Sequence, residues 1–134
     1  HSHYDHVGAH HEFAERLAAF EAAEIMAKAE GKVLTGMLEG RSAEEARALV
    51  LNMSKLGPVY AAFGTVNGEQ EHLVCARHAS LGADLRQLSA AVGAAVPVKG
   101  GGGPSLVELV ILDGKDTQKA LDLTRTWLER QSEG

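Results

Sequence analysis

Residues 97–112 read Pro97-Val98-Lys99-Gly100-Gly101-Gly102-Gly103-Pro104-Ser105-Leu106-Val107-Glu108-Leu109-Val110-Ile111-Leu112, and the reading of the whole chain turns on them. Glycine reaches backbone angles closed to other residues and lets another backbone or a phosphate come close. A run of four is therefore unfavourable inside a folded domain unless something needs that approach. We read the glycines as a binding loop; a tight connection is the other meaning such a run can have. The almost wholly apolar stretch Leu106 to Leu112 that follows reads as a buried strand.

Working outward, Ser80 to Val96 places Leu81, Leu85, Leu88 and Val92 at helical spacing, with Asp84, Arg86 and Gln87 exposed. Before it, Val59 to Val66 and His72 to His78 read as two strands joined by the hairpin signal Asn67-Gly68. Cys75 sits among apolar neighbours as a structural strand residue. His72 and His78, six apart, would share one strand face, where packing or surface roles outweigh metal binding. After the apolar strand, Asp113-Gly114 is a turn. A last helix starts near Asp116 and carries Ala120, Leu123 and Trp127, the tryptophan as a core plug.

Toward the start, Ser42-Ala43-Glu44-Glu45 has the spacing of a capping box, in which serine and glutamate each satisfy a free backbone amide. The helix it opens carries Ala46, Leu49, Val50, Met53 and Leu56 on one face and stops at Gly57-Pro58. Lys32 to Leu38 is a short strand weakened by Gly36. Glu12 to Glu30 is helical, with Phe13, Leu17, Phe20, Ala23 and Ala27 as its apolar stripe, facing the core or a partner chain, and Gly31 as its end. The alternation predicts one α/β domain over residues 12–134, with a mixed β-sheet of about four to five strands and helices packed on it.

Composition narrows the function. The 134 residues are 45% hydrophobic, enough for one core, and carry a formal charge of -5, which argues against gripping nucleic acid through a broad basic surface. Aromatic residues at 4% argue against single-strand binding on rows of stacking rings. One cysteine rules out an internal disulfide and suits a reducing cytoplasm. No apolar run approaches the roughly 18 residues of a membrane span, so the expected protein is soluble, or a soluble piece of a longer one, with no membrane partner.

Five of the seven histidines lie in residues 1–11. His1, His3, Asp5 and His6 spell H-x-H-x-D-H, which resembles the zinc motif of the metallo-β-lactamase superfamily and uses ligand types that hold zinc and activate water. Here the motif opens the chain rather than following a strand-rich segment, so residues 1–11 read as a tag or linker ahead of the domain. No metal and no cofactor is expected of the domain itself.

From Leu17 to Leu128 the element order and landmarks resemble the DHH-associated domain. That is the C-terminal module of alanyl-tRNA synthetase, of free-standing alanyl-tRNA editing proteins and of DHH-type phosphoesterases. The residues that carry the resemblance are Ala23-Glu24, His72-Leu73-Val74-Cys75-Ala76-Arg77, Gly82-Ala83-Asp84-Leu85-Arg86 and Val98 to Ser105. Pro104 stands where phosphoesterase members carry histidine after the last glycine, so the synthetase branch is closer. The resemblance implies a tRNA-binding module with no catalytic centre of its own. It would work beside the catalytic domain of a parent protein, itself a hydrolase or ligase acting on tRNA or nucleotides, with a homodimer as a further option. The alternative is the substrate-binding part of a phosphoesterase acting on small nucleotides. In either case the expected contacts are the amides of Gly100, Gly101, Gly102 and Gly103 as an anion-binding nest, with Lys99 at its rim and Ser105 as a hydroxyl donor. Arg77 and Arg86 are candidates for a second phosphate, or else are solvated or ion-paired charges.

Overall fold

The computed structural model describes residues 18–66 and 70–133. The chain forms five strands: β1 (Val33–Glu39), β2 (Tyr60–Val66), β3 (Glu71–Arg77), β4 (Val98–Gly102) and β5 (Leu106–Ile111). They form one sheet in the order β1-β2-β3-β5-β4. β1 pairs parallel to β2, and the β2–β3, β3–β5 and β5–β4 pairs are antiparallel. The mixed α/β sheet expected from the sequence is thus the one found, and β5 enters between β3 and β4. Asn67 and Gly68, the expected turn of the β2–β3 hairpin, lie outside the described residues, as do His1, His3, Asp5 and His6.

Helices cover both faces. A helix over 18–28, α1, and α2 (Ala43–Leu56) share one side with Phe63, Val74 and Ala76. On the other side α3 (Leu85–Gly93) and α4 (Thr117–Glu133) bury Leu85, Leu88, Val92, Ala120, Leu121 and Leu128 against Leu73, Val107, Leu109 and Ile111. Each large aliphatic side chain taken fully out of water contributes about 1.5–3 kcal/mol, so these two layers hold the sheet in place. The capping box of α2 is complete: Glu45 N–H donates to Ser42 Oγ at 3.2 Å and Ser42 N–H to Glu45 Oε1 at 3.1 Å. Arg41 then ties α1 to α2, donating to both oxygens of Glu21 at 2.8 and 3.0 Å and to Glu45 at 2.6 Å.

Several elements differ from their sequence reading. The glycine stretch is an edge strand as far as Gly102 and not a loop, because β5 supplies the pairing partner. On α1 the buried residues are Ala18 and Ala22, with Ile25 and Met26 half-buried. Phe20 is 63% exposed and Ala23 and Ala27 face solvent. Phe13 and Leu17 of the expected stripe lie outside the described residues; its described part is turned outward, while Arg41 holds Glu21 and Ala22 packs inward. Leu56, at the last position of α2, is also exposed, because Gly57 leads the chain away there. α3 begins only at Leu85, where Asp84 caps it with an extended backbone, and residues 81–84 belong to no helix or strand. β3 ends at Arg77, so the alternation that would put His78 on the face of His72 does not reach it. Gly36, which weakens β1 by propensity, leaves room for the ring of Phe63, which would lie 2.8 Å from an added Cβ.

Cys75 is fully buried, and burial pushes its thiol well above the ordinary range. We expect the native chain to resist alkylation by iodoacetamide at pH 8 and to react once unfolded in guanidinium; labelling followed by mass spectrometry checks this.

Candidate functional site

The β4–β5 hairpin is the feature the sequence singled out, and its ladder decides which groups are free. Leu112 N–H donates to Pro97 O at 3.1 Å and Gly103 N–H donates to Leu106 O at 2.9 Å. In an antiparallel pair such hydrogen-bonded positions alternate, so Lys99 and Gly101 turn their backbone groups to β5, whereas Val98, Gly100 and Gly102 turn theirs to the open edge. The glycine amides therefore do not form one continuous nest. Alternate amides are offered along an edge, at a spacing of about 6–7 Å.

Two of the glycines are required by close approach. Gly100 has φ of +103°, and a Cβ there would lie 2.5 Å from Glu108 O. A Cβ on Gly102 would run into Leu106 O and sit 2.9 Å from Val107 Cα. Gly103 has an ordinary backbone and open space around it. The run thus does two jobs: Gly100 and Gly102 let β4 lie close to β5, and Gly103 leaves room at the tip.

The expected site residues divide into two groups. Lys99 lies in a cross-strand row with Val110 and His72 on the side of the sheet that α2 covers. In the next row Glu108 stands opposite Gly101. Glu108 Oε1 meets Arg47 Nε of α2 at 3.3 Å as a charge pair without hydrogen-bond alignment. His72 Nδ1 is buried without a hydrogen-bond partner. Ser105 lies at the other end of the hairpin; the four residue steps from Lys99 to Gly103 alone cover about 13 Å. There Gly103, Pro104 and Ser105 meet α3 and the end of β3: Leu85 N–H donates to Pro104 O at 3.0 Å and Arg77 N–H to Ser105 O at 3.1 Å. Arg77 is brought to this tip, while Arg86 is engaged by Asp84 beside it, with contacts of 2.7–3.2 Å.

Asp84 also accepts from the backbone N–H of Arg86 at 3.0 Å and so caps α3. The Arg86 guanidinium, with that backbone bond, lowers the Asp84 carboxyl from 3.8 to about 2. A lowered folded-state pKa stabilises the fold at pH values above the unfolded one, and that contribution disappears as pH falls from about 4 toward 2. We expect the stability difference between the natural chain and Asp84→Asn to be constant above pH 5 and to shrink toward zero near pH 2, as read from urea midpoints at each pH.

The sequence reading missed Arg47 and the role of the Pro104 carbonyl. Arg47 has no local signal, since it meets Glu108 only through the packing of α2 on the sheet. The Asp84-Leu85-Arg86 spacing did carry a legible signal, an N-cap acid two residues before a base. His78 is held by its own turn, with Nδ1 2.7 Å from Ser80 Oγ and accepting from Ser80 N–H at 3.0 Å. Among the described residues no three His, Cys, Asp or Glu side chains gather as metal ligands would, and no helix is long and apolar enough to cross a membrane.

The chain is, by this architecture, a five-stranded α/β domain that presents a glycine-edged hairpin. Solved structures share its fold. The C-Ala domain of Aquifex aeolicus alanyl-tRNA synthetase superposes with a TM-score of 0.63 at 17% identity, over 72% of this chain and 89% of that one. RecJ from Thermus thermophilus, solved in complex with Mg2+, superposes with a TM-score of 0.66 at 7% identity, over 89% of this chain but only 18% of the RecJ chain. The fold implied by the DHH-associated resemblance is the fold these neighbours have. No protein-family model matches the sequence, and no curated protein does.

Proposed function

We propose that this chain is a nucleic-acid-binding module that takes tRNA, part of an alanyl-tRNA synthetase-related or alanyl-tRNA editing protein, with its chemistry done by another domain. The observation that carries the reading is the glycine-edged β4–β5 hairpin set in the fold of a tRNA synthetase domain. Edge amides of Gly100 and Gly102 and the ammonium of Lys99 suit phosphate oxygens, and Gly103 with Ser105 leaves the tip open to a backbone approaching closely. A net charge of -5 fits a module that adds local contacts to a complex held mainly elsewhere. The domain would begin near residue 12, with residues 1–11 a separate segment, and a reducing cytoplasm suits its one buried thiol.

The test is tRNA binding by the chain as a function of salt. Affinity should fall linearly in logarithmic salt, and Lys99→Ala should reduce the slope by about 1. Gly103→Ala should weaken binding without changing stability, because its methyl enters only the space kept for the ligand. A folded chain with no salt-sensitive tRNA binding sinks the proposal.

The superposition on RecJ over 89% of this chain favours a second reading, the substrate-binding part of a phosphoesterase acting on small nucleotides. Pro104 in place of histidine weighs against it. A mononucleotide that binds the chain and displaces tRNA would establish it.

A further inference from the structure

We infer that Arg77 is a positioning residue, a clasp that sets the hairpin tip, and does not itself grip phosphate; this rests on the reading of the tip as part of a tRNA-binding surface. Its Nε donates to Pro104 O at 3.1 Å, and its Nη1 donates to His78 O at 3.2 Å and to Leu81 O at 2.5 Å. Its own backbone N–H donates to Ser105 O. One side chain at the end of β3 thus ties together the β4–β5 tip and the 78–81 turn. Pro104 O accepts both from this guanidinium and from the first amide of α3.

Donor arithmetic then decides what Arg77 can do. A guanidinium grips a phosphate or carboxylate in a fork either through Nε with Nη2 or through Nη1 with Nη2. Either fork includes a nitrogen already committed to a carbonyl, so bidentate phosphate binding would break the clasp. Carbonyl oxygens are the partners in place, and they converge from two separate chain segments. Residues 78–84 form no helix or strand, and β4 is held on one side only. A side chain that orders both gives the glycine edge and Ser105 a defined position, and so lowers the ordering entropy that binding would otherwise have to overcome.

Amide hydrogen exchange and salt-dependent tRNA binding, on the 134-residue chain and its Arg77→Lys and Arg77→Ala variants, test this. Lysine keeps the charge, but its three N–H donors radiate from one nitrogen and cannot reach carbonyls placed around both Nε and Nη1 of the arginine. In both variants we expect the Leu85 and Gly103 amides to exchange about tenfold faster or more, with those of Leu73 and Leu109 unchanged. We also expect both to bind tRNA more weakly with the salt slope of the natural chain. Unchanged exchange at Leu85 and Gly103 overturns the clasp. So does an Arg77→Ala slope reduced by about 1 while Arg77→Lys binds like the natural chain, which is the signature of a phosphate contact. If Arg77→Ala does not fold, Arg77→Lys carries both measurements. If the natural chain binds no tRNA, the functional reading falls, and the exchange measurement alone decides whether the clasp exists.

Discussion

Gly100→Ala should destabilise the domain by about 2–4 kcal/mol, the sum of a strained backbone and a collision with the neighbouring strand. The φ of +103° at Gly100 lies where side chains are rarely accepted, and the new methyl carbon would sit 2.5 Å from Glu108 O, a backbone atom that cannot rotate aside. β4 has no second neighbour to hold it, so the relief is for β4 to pull away from β5 and lose its ladder phase. The expected result is a lower urea midpoint together with rapid exchange of the amides of Lys99 and Gly101, the two that β4 turns to β5. Gly103→Ala, three residues on, has neither strain nor contact and should stay within about 0.5 kcal/mol of the natural chain. Equal midpoints for the two variants would refute the close approach of β4 to β5.

Leu109→Ala should cost about 2–5 kcal/mol, a large share of the roughly 5–15 kcal/mol that holds a domain of this kind folded. Leu109 is 1% exposed and lies on β5 between Leu73 of β3 and Gly100 of β4, in the cluster with Leu88, Val92 and Leu128. Removing it opens a cavity beneath α3 that the surrounding aliphatic groups cannot fully close. Because Leu109 and Gly100 are cross-strand partners, the double variant should lose less than the two single losses added together. Strict additivity in chemical denaturation would mean that β4 and β5 do not move as a unit.

Local chemistry explains what was legible in the sequence. The capping box at Ser42 and Glu45, the strand runs around Phe63 and Val74, the Leu85-Leu88-Val92 stripe and the burial of Cys75 all rest on neighbours within a few residues. Those neighbours impose the same pattern wherever they are placed. Gly36 reads as a defect by propensity alone, and only the ring of Phe63, opposite it on β2, shows why glycine stands there.

The candidate site was legible in part. The run from Gly100 to Gly103 marked the right place, but its form as an edge strand needed β5 as partner, and pairing made alternate amides available instead of a continuous nest. Arg86 is held by Asp84, two residues away, a local pairing that the sequence carries. Only packing set Arg77 against three carbonyls.

The elements other than β4, and the α/β class, followed from periodicity, caps and turn residues, because each depends on interactions closed within a single turn or a single strand. The outward turn of Phe20, the separation of Lys99 from Ser105, the meeting of Arg47 with Glu108 and the commitment of Arg77 to the hairpin tip were decided by tertiary structure. Each depends on the position of a group distant along the chain, and one chain segment carries no information about which distant neighbour will lie against it.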